Sequence, residues 1–186
     1  MKILIAPDSF KECLSANKVA RSIAIGIKKI NPNHNIEEIP ISDGGEGAIE
    51  FLKKNCDGKA VEHETENANG NKILSEYFKF RNSKTAWIEL SQASGLSLIE
   101  KKDRNPGLTS TYGTGLSINH AIKSGCSDII LSLGGSATND AGTGIFHALG
   151  GKLLDENNKQ IKKGCESLFK IKQIKTPKYL NNIKFK

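Results

Sequence analysis

Three short apolar runs each end in a polar loop that leads into a helical pattern. "KILIA" passes into "PDSFKE", "NIEEIPI" into "SDGGEG", and "DIILSL" into "GGSATNDAGTG". A run of four to six apolar residues bounded by turn formers reads as a buried strand. After the first run, Ser15 is placed to cap a helix in which Val19, Ile23, Ile27 and Ile30 recur at spacings of four and three, and Asn31-Pro32 stops it. The second run closes at Pro40 and is followed by the short helical stretch "AIEFLKKN". Strand, helix, strand, helix in this order predicts the start of a parallel α/β sheet.

The pattern then changes. "AVEHETEN", "KILSEYFKF" and "TAWIEL" are strand-like, joined by "NANGN" and "RNSK". Asn69-Gly70 is a hairpin signal, and Trp87 falls on the face opposite Ala86 and Ile88. Three antiparallel strands after two βα units predict a second α/β unit with a seam near Gly58, dividing the chain into 1–58 and 59–186. Helices are expected over about 110–124, ended by Gly125, and over "GIFHALG". "KLLDENNKQI" reads as a further hairpin.

Composition excludes several classes. No apolar stretch in the 186 residues approaches the roughly 18 that a membrane span needs. The apolar part of the N-terminus is too short for a secretory signal. The four cysteines form no CxxC, which fits a cytoplasmic protein with reduced thiols. The formal charge is +7, but up to Gly151 there are 17 basic and 17 acidic residues; the excess lies after it, in ten lysines against three acids. With few aromatics among them and no nucleic-acid motif, these lysines read as a solvated face, so neither nucleic acid nor a membrane is expected as a partner.

The loops hold the candidate chemistry. In open α/β proteins ligands gather at the carboxyl ends of strands, where helix N-termini offer N–H groups and partial positive charge. Gly44, Gly45, Gly134 and Gly135 allow backbone amides to approach an anion closely, and Ser136 and Asn139 can donate to it. Lys11 follows the first strand at phosphate-reaching distance. Asp8 and Asp43 each close a strand and could take a proton or hold Mg²⁺; the alternative is an Asx turn or a helix cap. Asp140, beside a bound phosphate, needs a second task such as Mg²⁺ or proton binding; the alternative again is a cap. Arg104 has the planar fork that suits a carboxylate. There is no GxxxxGK[ST] and no complete GxGxxG, so a nucleotide would be held in another way. The four histidines show no metal spacing.

Taken together, "APDSFK" with "LSA", "SDGGEG", "RNP" before "TSTYGTG", and "GGSATND" before "ALGG" resemble the bacterial-type glycerate kinases, which phosphorylate D-glycerate with ATP. The resemblance implies a Rossmann- or flavodoxin-like parallel-sheet domain with a second, mixed α/β domain inserted, and substrates in the cleft between them. It implies ATP and Mg²⁺ as cofactors, phosphate contacts at Lys11, Gly44, Gly45, Gly134, Gly135, Ser136 and Asn139, and a glycerate site formed by Ser9, Arg104, Thr111, Tyr112, Gly113 and Thr114. Asp43 or Asp140 is the expected base or metal ligand, with Lys11 and Asp8 as further catalytic candidates. Family members are about twice as long, so the chain resembles an N-terminal half, expected to be inactive alone and to expose a raw sheet edge.

Overall fold

The computed structural model describes residues 1–10 and 13–186. It is a mixed α/β structure. Strands β1 (Lys2–Ile5) and β2 (Asn35–Glu38) pair in parallel, from Lys2 opposite Asn35 to Ile5 opposite Glu38. Helix α1 (Ala16–Ile30) makes the crossover. Its contact face matches only part of the stripe expected from periodicity: Val19 is buried and Ile27 packs inward. Ala20 and Ala24 are buried with Ile5, and Ile3, Ile27 and Ile36 pack around them, whereas Ile23 and Ile30 are exposed. The two alanines let the helix axis approach the sheet closely, and a two-stranded sheet has no room for a wider apolar stripe. Ser15 occupies the N-cap position without a side-chain cap bond. Met1, Leu4 and Ile41 lie exposed in and beside this small sheet.

The larger sheet has the order β3-β4-β5-β6-β9. β3 (Gly58–Glu66) and β4 (Lys72–Phe80) form a nine-residue antiparallel ladder. The loop between them turns on Gly70, at φ +87°, while the Asn67 side-chain oxygen accepts from the amides of Asn69 and Asn71. β5 (Thr85–Glu89) runs antiparallel to β4 and parallel to β6 (Asp128–Ser132), and β6 pairs in parallel with β9 (Lys184–Phe185).

Alternation along β5 gives the sheet its two layers. Ala86 and Ile88 face a core with Tyr77, Ile129 and, from α4 (Tyr112–Lys123), Ile118 and Ala121. Trp87 faces the other way, with Phe78, toward Ile49 and Leu52 of α2 (Ala48–Asn55). Thus α2, which sequence order groups with β1 and β2, packs on the larger sheet. α3 (Ser91–Ser94) follows β5, and α5 (Thr143–Ala148) packs beside α4. The expected hairpin in "KLLDENNKQI" is present as an antiparallel bridge, Leu154 to Gln160, flanked by the bonds Asp155 N to Lys159 O and Ile161 N to Leu153 O, and β7 (Lys152–Leu154) pairs in addition with β8 (Gln173–Lys175).

Candidate functional site

The polar loops meet beyond the carboxyl ends of β5 and β6, whose last residues, Glu89 and Ser132, stand opposite each other. The loop 42–47 leads into α2. Ser42 Oγ accepts from Gly44 N, and Asp43 Oδ1 accepts from Gly45 N at 2.8 Å. Asp43 itself is exposed. Across from it runs the loop 133–142. A Cβ on Gly134 would lie 2.8 Å from Gly45 N, so the two glycine pairs touch backbone to backbone. Gly135, at φ +73°, takes a conformation that favours glycine. The same loop is stitched to the α3 segment, since Leu96 N donates to Gly135 O and Ala137 N to Ser94 O, both at 2.9 Å.

Two fully buried carboxylates organise this junction. Asp140 is 1% exposed. Its oxygens accept from five donors: Ser110 Oγ, Thr111 N, Thr111 Oγ1, Gly142 N and Gly144 N, at 2.8 to 3.2 Å. It therefore caps the starts of α4 and α5 together. Without a ligand its oxygens are occupied by these donors and shielded from solvent, which is the capping arrangement the sequence held as the alternative to a base or metal ligand. Glu89, also 1% exposed, accepts from Gly47 N (3.0 Å), Ile49 N (3.1 Å) and Ser91 Oγ (2.6 Å), and so caps α2 from outside. Sequence reasoning passed over Glu89. The available signal was an acid at the end of an otherwise apolar strand, directly before "LSQASG".

The remaining expected residues divide. Thr111, Gly113 and Thr114 are buried in packing: Thr111 Oγ1 also accepts from Ile145 N, Thr114 Oγ1 bonds Ser94 Oγ, and Gly113 lies against the Glu66 carbonyl. The Tyr112 ring sits 3.4 Å beneath Lys163 Nζ, which is paired with Glu66 at 2.7 Å. Burial, and next to it Lys163, lowers the pKa of nearby His147, with Asp140 opposing. Arg104 donates to the carbonyls of Ile99 and Leu96. Ser136 Oγ accepts from Thr138 N, and Asn139 is exposed. Asp8 Oδ1 accepts from Ser9 N. Ser9 lines a cavity of about 960 Å³ whose walls also include Glu46, Gly47 and Gln92, so the β1 loop faces the α2 junction. Lys11 lies outside the described residues.

Among the described residues no group of three His, Cys, Asp or Glu side chains is placed to hold a metal. That is compatible with Mg²⁺, which commonly uses one or two carboxylates together with substrate phosphates. Of the two expected donors, Asp43 is exposed beside the glycines and Asp140 is buried. No helix among the described residues is long and apolar enough to cross a membrane.

The chain is 44% identical over 172 residues to the glycerate kinase of Halalkalibacterium halodurans, covering 92% of this chain and 45% of that protein. It is 41% identical to glycerate 2-kinase of Escherichia coli K12, covering 94% and 46%. A solved Salmonella typhimurium LT2 structure assigned as glycerate kinase 2 matches with a TM-score of 0.76 and 37% identity, over 100% of this chain and 51% of that one. The chain spans about half the length of the curated relatives it matches. With the model of the glycerate kinase family matching residues 3–186, the chain belongs to that family.

Proposed function

We propose that this chain supplies the loop cluster of an ATP-dependent glycerate kinase, which transfers the γ-phosphoryl group of ATP to D-glycerate, at the 2-hydroxyl. The relative named glycerate 2-kinase supports that position. The observation that carries the reading concerns the backbone. Glu89 and Asp140 already satisfy the starts of α2, α4 and α5. By contrast, the consecutive amides of Gly134, Gly135 and Ser136 have no acceptor among the described residues. Successive amides at a left-handed glycine form an anion-binding concavity.

On this reading the Gly134–Ser136 amides, with Gly44 and Gly45 against them, hold phosphate oxygens and counter the charge that develops during transfer. Asp43 faces the same junction and accepts the proton of the glycerate hydroxyl, or holds Mg²⁺. Bound Mg²⁺ would neutralise phosphate charge. Ser9 of the β1 loop lies on the phosphate side, and Lys11 is assigned to the phosphate by the family motif alone. Arg104 and the segment Thr111–Thr114 act as a frame, holding the 94–96 and 133–144 loops in register rather than clamping the substrate. In domain terms, β1, α1 and β2 are the first part of a Rossmann-like domain, and the larger sheet belongs to the inserted one, with α2 at the seam.

The test is ³¹P NMR of the 186-residue protein, and of a full-length relative, with D-glycerate, ATP and Mg²⁺. The relative is expected to yield 2-phosphoglycerate. The chain alone is expected to bind ATP but to turn over at less than about a tenth of that rate, because it spans half the relatives' length. Turnover within about tenfold of the relative's rate overturns the expectation of an inactive fragment. Absence of ATP binding favours a chain that shares the fold without the activity.

A further inference from the structure

The structure assigns Glu89 as a positioning residue that fixes the 42–47 loop against the 133–136 loop and so sets the geometry of the Gly134–Ser136 amides; this rests on the phosphate-holding role given to those amides above. Glu89 ends β5 directly opposite Ser132, the last residue of β6 before the glycine pair. Its carboxylate reaches in two directions. Toward α2, its oxygens take Gly47 N and Ile49 N, the cap amide and the second helical amide. Toward α3, Oε1 takes Ser91 Oγ. Gly135 sits between those two anchorages: a Cβ there would be 3.2 Å from Ser91 Cβ and 3.3 Å from Glu46 Cγ.

The tolerance for movement is small. Gly45 lies two residues before Gly47, whose amide Glu89 holds, and is in backbone contact with Gly134. If the start of α2 swung outward, that contact would open and the turn at Gly135 would lose its two neighbours. The α2 terminus needs an outside acceptor because Gly47, its cap residue, has no side chain, and Asp43 closes on Gly45 N instead. Charge-assisted bonds from two amides and a hydroxyl hold the buried carboxylate in place.

Glu89→Gln tests this, because the carboxamide keeps the shape but can accept at only one atom, leaving Gly47 N or Ile49 N facing an NH₂ group. The 186-residue protein is followed by amide hydrogen exchange and ¹H–¹⁵N spectra without ligand, then titrated with ATP. Expected are exchange at Gly47 and Ile49 faster by about tenfold or more, displaced resonances at Gly134 and Gly135, and ATP affinity weaker by about tenfold, the scale of one lost charge-assisted bond. Ile118→Val, in the core on the far face, is expected to lower stability without moving those resonances or the affinity. Wild-type resonances at Gly134 and Gly135 in Glu89→Gln overturn the proposal, as does an equal loss of affinity in Ile118→Val. Should Glu89→Gln fail to fold, Ser91→Ala decides by the same resonances, since it removes only the hydroxyl. A wild-type protein that ignores ATP sinks the functional reading alone, because the ligand-free spectra still report on Glu89.

Discussion

The loops 42–47 and 133–142 are built from the same parts and put their carboxylates to opposite use. Each carries a glycine pair and one aspartate, and each opens a helix. Asp43 stands before its glycines, folds back on Gly45 N and stays exposed. Asp140 stands after its glycines, two residues before the α5 cap, and is buried under five donors. The order of acid and glycine thus decides whether a carboxylate meets helix amides or solvent. In the first loop the missing cap comes from elsewhere, from Glu89, which leaves Asp43 available.

The largest effect should come from Asp140→Asn. The carboxamide nitrogen would face N–H and O–H donors, several of which lose a charged acceptor in a buried place. A loss of about 3 kcal/mol or more in urea unfolding is expected. A loss below about 1 kcal/mol would return Asp140 to the pool of chemical groups and dissolve the contrast.

Next comes the glycine contact. Gly134→Ala drives a Cβ into the Gly45 backbone and should cost about 1–3 kcal/mol. Gly45→Ala should cost less, because its closest obstacle is Asp43 Oδ1 at 2.9 Å, the end of a side chain that can move. Equal losses in thermal unfolding would show that the two loops are interchangeable at their contact.

A smaller effect concerns the other support of α4, where His63 Nε2 bonds Ser117 Oγ at 2.8 Å. Burial, and then neighbouring His120, lowers the His63 pKa below 6.5. The unfolded chain therefore binds the proton more tightly. Stability should be complete above about pH 6.5 and decline as pH falls from there toward the folded value. His63→Gln should flatten that slope in pH-dependent unfolding, whereas an unchanged slope would place its origin elsewhere, with His147 next in line.

The smallest change in stability is expected for Asp43→Asn, within about 0.5 kcal/mol, as for an exposed side chain. In an active protein carrying these loops the same substitution should lower kcat by about a hundredfold if Asp43 is the general base. Full activity would leave Asp8 as the candidate.

Much of the element order was legible because its signals are local. Asn69-Gly70 marks the hairpin, Gly125 ends α4 at φ +90°, and the alternation of Ala86, Trp87 and Ile88 separates the two faces of β5. The α1 face was read correctly at Val19 and Ile27 and missed at Ala20 and Ala24, because periodicity weighs hydrophobicity and not the distance at which a helix must sit. The loop cluster was visible as a set of segments, but not the use of each residue within it. Thr111 and Thr114 look like ligand donors in a hydroxyl-rich string, yet their oxygens are taken by Asp140 and Ser94.

By itself, then, the sequence determined strands, turns, helix stops and the loops that cluster, since these follow from side-chain period and backbone freedom within a few residues. Tertiary structure alone decided the pairing of β6 with the distant β9, the transfer of α2 to the larger sheet, and the hydrogen-bond partners of Glu89 and Asp140. The carboxylate outcomes depend on which donors arrive from far along the chain, as Ile49 reaches Glu89 across 40 residues and Thr111 reaches Asp140 across 29, and burial then makes the pairing obligatory.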